Sequence, residues 1–295
     1  MRNFIGVLVL ALLFVSAIGA EPPQQEKGMD LTWAFPATDK VLPPAEDNSV
    51  VKHVPGSAKS YTQAQVDDRF NPPDWFPNEH APMPSVVQHG SGTAVPGCAL
   101  CHLADFKSGA RKDSPARMSD FAKALSEDEN RQASEWFASL TPSVWEKVVE
   151  TDTVPATYVN EGRMRFALPG VGTEPIEHRI IVLPQDPMTV VARDPHAGFI
   201  AYVPEGSITK GEWLVTTGGA GKTIPCSICH GPSLTGLGDE PRIAGHGAIY
   251  IVRQLHSFQI GARAGGRAEL MKAVVAQLSQ DDMVAIAAYV ASRTP

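Results

Sequence analysis

The sequence predicts a mainly α protein of 295 residues in which one unit occurs twice. A small β-rich segment separates the copies, and a proline-rich leader precedes them. Three observations carry this reading. A Cys-x-x-Cys-His motif appears as Cys98-Ala99-Leu100-Cys101-His102 and again as Cys226-Ser227-Ile228-Cys229-His230. Each motif is followed by the same landmarks: Phe106 and Phe258, Gly109-Ala110-Arg111 and Gly261-Ala262-Arg263, Met118 and Met271, Leu125-Ser126 and Leu278-Ser279. Outside the copies the texture changes, to clustered prolines on one side and short β-branched runs on the other.

The chain begins with features of a secretion signal. Arg2 and the amino terminus are positive, Phe4 to Ile18 is apolar, and Ala17-Ile18-Gly19-Ala20 offers small residues for cleavage. Residues 1–20 are therefore expected to be a signal peptide. An uncleaved anchor is the alternative, since the run approaches the lower limit for a bilayer span. No later stretch is apolar for long enough to cross a membrane, so no span is expected after cleavage.

Residues 21–89 form the leader. Pro22-Pro23, Pro43-Pro44 and Pro72-Pro73 rule out long helices and central strands. Trp33, Phe35, Tyr61, Phe70, Trp75 and Phe76 are more aromatic content than a disordered linker carries. The expectation is an extended segment that wraps over the repeated units and buries these rings. His53, His80, Met83 and His89 read as surface or packing residues, with His89 close enough to the first motif to offer a ligand.

The two motifs use all four cysteines of the chain. Two cysteines three apart with an adjoining histidine form the c-type haem attachment motif. The sulfurs add to the haem vinyl groups and the imidazole reaches the iron. Two CxxC pairs could instead hold zinc. A thioredoxin-like pair would need a strand–helix context that neither flank offers. The repeat register places one methionine in each copy, Met118 and Met271, where a thioether can complete a six-coordinate iron of raised potential; Met164, Met188 and Met283 read as core filler. Ser126 and Ser279 each open a helix with acidic residues in its first turn, which suits an N-cap and the helix dipole. The copies differ in one respect. His102 to Phe106 spans 4 residues and His230 to Phe258 spans 28, so the first copy, residues 90–142, lacks 24 residues and any equivalent of Pro241.

Between the copies, residues 143–206 contain strand-like runs at Met164 to Leu168, Arg179 to Leu183, Thr189 to Val191 and Gly198 to Val203. A small antiparallel unit of about four strands is expected, acting as a spacer. The second copy, residues 207–295, should open with a helix from Ser207 to Thr217 and close with one from Gln280 to Ser292, with Trp213 and Tyr289 as candidate contact residues.

Residues 207–295 resemble a class I cytochrome c domain of the type found in two-haem, two-domain cytochromes, the c-four group. The resemblance rests on Cys226 to Gly231, Pro241-Arg242-Ile243-Ala244-Gly245, Tyr250 to Leu255, Phe258, Gly261, Arg263, Met271 and Leu278-Ser279. It implies thioether bonds at Cys226 and Cys229, His230 and Met271 as axial ligands, and a hydrogen bond from the other His230 ring nitrogen to the Pro241 carbonyl. Carried to the first copy, it implies attachment at Cys98 and Cys101 with His102 and Met118 as ligands. The cofactors would be two haem c groups.

The expected function is a periplasmic dihaem cytochrome passing single electrons between redox proteins. The donor would be a dehydrogenase or respiratory complex and the acceptor an oxidase or reductase. A formal charge of −7 argues against nucleic acid as a partner. Two alternatives remain: a dihaem peroxidase-like enzyme whose shortened copy leaves an open iron, and a haem subunit of an oxidoreductase complex.

Overall fold

The computed structural model describes residues 30–39, 47–103, 115–160 and 162–295. The expected signal peptide and the Phe106 to Arg111 landmarks lie outside the described residues.

In the leader, β1 (Val51–Lys52) pairs antiparallel with β2 (Tyr61–Thr62). β2 runs into α1 (Gln63–Val66), where Thr62 and Gln65 form a capping box. A second single turn, α2 (Ser85–Gln88), follows. The prolines keep the chain between these pieces extended, and the aromatics anchor it. Trp75 is buried, donates its indole N–H to the Ala192 carbonyl at 2.8 Å, and meets Tyr61 edge-on at 4.7 Å. Phe76 stacks on His196. Trp33 enters the main core, while Phe35 stays on the surface beneath the Arg253 guanidinium.

The first copy comprises α3 (Ala99–His102), α4 (Pro115–Ala124) and α5 (Glu127–Ala138). α5 starts on a capping box between Ser126 and Glu129. The intervening segment holds β3 (Glu146–Glu150), β4 (Thr153–Pro155), β5 (Thr157–Val159), β6 (Arg165–Ala167), β7 (Thr173–Pro175), β8 (Ile181–Pro184), α6 (Pro187–Val191) and β9 (Phe199–Val203). The order β3-β9-β8 makes a three-stranded sheet, while β4 with β7 and β5 with β6 form separate ribbons.

Three expectations need correction here. The sheet is mixed, because β3 and β9 pair in parallel from Glu146↔Phe199 to Glu150↔Val203. Thr189 to Val191 is helical, because Asp186 caps the turn through the Met188 amide and Pro187 occupies its first position. The segment also holds seven strands among its described residues rather than about four, and β3 and β9 pack against the last helix of the chain.

The second copy comprises α7 (Ser207–Thr217), α8 (Ser227–His230), α9 (Ala248–Gln259), α10 (Ala268–Val275) and α11 (Gln280–Ala291). α11 is the centre of the core: every residue from Asp282 to Ala291 is buried. Its alanines leave room for close neighbours, and α7 and α9 take that room. The crossing with α7 rests on Gly211 rather than Trp213. A Cβ at Gly211 would stand 2.0 Å from the Ala285 carbonyl oxygen and 2.7 Å from the Tyr289 Cβ. Trp213 is 46% exposed.

Candidate functional site

At the second motif the chain folds into one helical turn. The Cys229 and His230 amides both donate to the Cys226 carbonyl, at 3.3 and 2.9 Å. One turn brings residues three and four apart onto one face, so Cys226, Cys229 and His230 are presented together. The Cys226 amide donates to the Val215 carbonyl of α7, fixing the turn to the core. Thr223 donates to the Val274 carbonyl at 2.7 Å, tying the approach to the motif onto α10, the helix that carries Met271. Met271 is half-buried and packs on the core cluster that also takes Cys226.

His230 Nδ1 lies 2.7 Å from the Pro241 carbonyl. A carbonyl only accepts, so Nδ1 carries a proton, and in the neutral imidazole that tautomer leaves the Nε2 lone pair for a ligand bond. The loop that delivers Pro241 is held by Leu234, whose carbonyl accepts from the Ile243 and Ala244 amides. Burial pushes the Cys226 thiol up to about 11, so it stays protonated near neutrality, whereas Cys229 is exposed.

The first motif makes the same turn. The Cys101 and His102 amides donate to the Cys98 carbonyl at 3.1 and 3.0 Å. In both copies the next residue has a positive φ and extended ψ, Leu103 at 56° and 177° and Gly231 at 82° and 159°. That region belongs to glycine and costs another residue ~1–3 kcal/mol, so a leucine held there marks a turn imposed by its surroundings.

Those surroundings come from the leader and the β segment. The Gly97 amide donates to the Arg69 carbonyl, the Cys98 thiol to the Val86 carbonyl at 3.5 Å, and Arg193 to the Leu100 carbonyl at 2.9 Å. Val86, Val87, Ala99 and Trp136 form the buried cluster, with Met83, Cys98 and Phe137 against it. The His102 ring meets Phe137 at 5.8 Å, and burial lowers its pKa, favouring the neutral imidazole.

The expected ligands are thus placed differently. Cys226 and Met271 pack on one core, and His230, one turn beyond Cys226, is bonded to the Pro241 carbonyl. Met118 is 49% exposed on α4 and outside the cluster that holds Cys98. His89 is exposed, its Nδ1 donating to the Phe70 carbonyl at 3.0 Å. Cys226 packs on one cluster and Cys98 on another, and no group of three or more His, Cys, Asp or Glu side chains is placed to share a metal among the described residues. Sequence reasoning missed the part played by Met83, Val86 and Arg193. Pro84-Ser85, a helix-start signal, marks the first two, but nothing local marks Arg193.

No family model matches the chain. Cytochrome c4 from Pseudomonas aeruginosa is 33% identical over 87 residues, 28% of this chain and 43% of its own length. A thiosulfate dehydrogenase electron acceptor from Thiomonas intermedia is 33% identical over 100 residues, 33% of this chain and 46% of its own. The chain therefore spans less than half the length of these two relatives. Cytochrome c-554(548) from Halomonas halodenitrificans is 36% identical over 76 residues, 25% of this chain but 92% of that protein. The chain belongs to the c-type cytochromes. Among solved structures, cytochrome c4 from Pseudomonas stutzeri aligns with 65% of this cytochrome and 77% of its own chain, at 21% identity and a TM-score of 0.37.

Family membership implies covalently bound haem c, and the second motif fits it. Its histidine is oriented with one nitrogen free to ligate. Ile224 and Ile228 beside the cysteines, Leu237 in the Pro241 loop and Leu270 beside Met271 are all exposed. An apolar group seated there would recover hydrophobic free energy, at ~25 cal/mol per Å² covered. The cytochrome's first motif fits through its identical turn and the apolar cluster around Cys98.

Proposed function

We propose that this protein is an exported, periplasmic cytochrome that carries single electrons between redox proteins through two covalently bound haems. The observation that carries the reading is the pair of like-built CxxCH turns, one with its histidine locked onto Pro241. Cys226, Cys229, His230 and Met271 would hold the second group, and Cys98, Cys101 and His102 the first. Haem c, when bound, supplies an iron that takes up and returns one electron. The Pro241 carbonyl fixes the imidazole of His230, so the ligand does not reorient between oxidation states. The packing of Met271 on the core cluster does the same for the thioether. The acidic chain suits docking to a basic face of a donor dehydrogenase or an acceptor oxidase or reductase.

The relative named as an electron acceptor of thiosulfate dehydrogenase favours a second reading, a haem subunit that serves one oxidoreductase. No helix among the described residues is long and apolar enough to cross a membrane, which leaves both readings open to a mobile carrier. The test is a quantified EPR spectrum of the oxidised, haem-loaded protein with its haem content per chain. Two haems and two low-spin signals are expected. One high-spin signal of full intensity would favour a peroxidase-like enzyme with an open iron. One haem per chain would end the dihaem reading.

A further inference from the structure

We propose that Met83, in the proline-rich leader, supplies the sixth ligand of the first haem, the position that the repeat assigns to Met118. The inference rests on the dihaem reading above and adds a ligand to it.

The first copy is 24 residues shorter than the second, and α9 has no counterpart among its described residues. The leader packs on this copy. Trp136 donates to the Ala81 carbonyl at 3.2 Å, and the Cys98 thiol donates to the Val86 carbonyl. Met83 lies between these two anchors. α2, which begins two residues later, packs on both α3 and α5. Met83 is accordingly half-buried against the cluster of Val86, Val87, Ala99 and Trp136, the same cluster that takes Cys98.

That is the relation Met271 has to Cys226 in the second copy, where both are half-buried against one core. A thioether needs such surroundings. It is a weak, neutral donor that gains little from water, and its flexible chain fills irregular apolar space. Met118 has different surroundings. It is half-exposed on α4, which is joined to α5 by the Asn130 side chain donating to the Ala122 carbonyl at 3.1 Å. His89, the other nearby donor, is exposed and held to the Phe70 carbonyl.

The test compares Met83→Leu and Met118→Leu in the full-length, haem-loaded protein. Leucine conserves volume at a methionine site, so both variants should fold as the parent does. The readouts are haem per chain, the far-red charge-transfer band of thioether-ligated ferric haem, and the high-spin EPR signal. With Met83→Leu, both haems stay, one of the two charge-transfer contributions disappears, and one high-spin signal appears. Met118→Leu leaves the spectra as in the parent. The reverse pattern, or an unchanged Met83→Leu spectrum with two haems present, overturns the assignment while leaving the dihaem reading standing. A parent protein with one haem per chain overturns both. Should Met83→Leu fail to accumulate, the shifted S-methyl resonances of the reduced parent decide the matter. A through-space contact from one of them to Trp136 supports Met83, and its absence refutes it.

Discussion

Two buried carboxylates show how local surroundings decide a residue's charge. Asp282, in the first turn of α11, is desolvated, which alone would raise its pKa. Lys222, the Ser279 amide and Lys210 outweigh that and hold it at about 2. Glu146 on β3 is equally buried, but its Oε1 meets only the Ala248 amide, at 2.7 Å, as a cap for α9. Desolvation wins there and pushes Glu146 up to about 7 from an ordinary 4.5. The two therefore act on stability with opposite signs. Asp282 binds its proton more weakly in the folded chain, so its contribution is lost as pH falls below about 4 toward 2. Glu146 binds its proton more tightly in the folded chain, so its contribution is complete below pH 4.5 and is lost as pH rises through about 7. Glu146→Gln keeps the acceptor for Ala248 and removes the titration. Its unfolding free energy should equal the parent's at pH 4.5 and exceed it by roughly 3 kcal/mol at pH 8.5. Urea unfolding at the two pH values measures this, and a difference independent of pH would refute it.

At the scale of elements, the second copy is organised by the contact of α7 with α11. Alanine in place of a mid-helix glycine ordinarily gains up to ~1 kcal/mol. At Gly211 the added methyl would overlap the Ala285 carbonyl, so the helices must separate. Gly211→Ala should cost ~1–3 kcal/mol, as overpacked cores do, and thermal unfolding will show which sign prevails. Such contacts mark the limit of what was legible in the chain. Local signals were readable: both serine caps, the ends of α7 and α11, and the turns that present each Cys-x-x-Cys-His, because each depends on neighbours within about four residues. The hydrogen bond from His230 to Pro241 was readable only through family resemblance. The parallel pairing of β3 with β9 was not readable, since Glu146 and Phe199 lie far apart in sequence and the intervening runs resemble any alternating strand. Thr189 to Val191 is β-branched yet helical, because the cap at Asp186 and Pro187 overrides weak β propensity. The surroundings of the first motif were hidden for the same reason as β3, being assembled from residues of the leader and the β segment.

At the scale of the whole molecule, one guanidinium joins three parts of the chain around the first motif. Arg193 is buried and held at φ 57°. It donates to the Val66 carbonyl at 2.8 Å and the Leu100 carbonyl at 2.9 Å, and pairs with Asp67 at 3.1 Å. Leader, first motif and β segment thus meet at one side chain, next to the Trp75 bond to Ala192. The second copy has its own core on α11 and needs none of these bonds. Arg193→Met keeps much of the length and removes the donors, leaving two carbonyls to find new partners at ~1–3 kcal/mol each. The loss should fall on one part of the molecule, because stability is distributed in cooperative units. Amide hydrogen exchange should speed up across residues 61–103 by tenfold or more, since 1.4 kcal/mol is a factor of ten. Exchange in α7, α9 and α11 should stay within twofold of the parent. If those helices accelerate equally, the two Cys-x-x-Cys-His units share one opening transition, and the first could not loosen without disturbing the second.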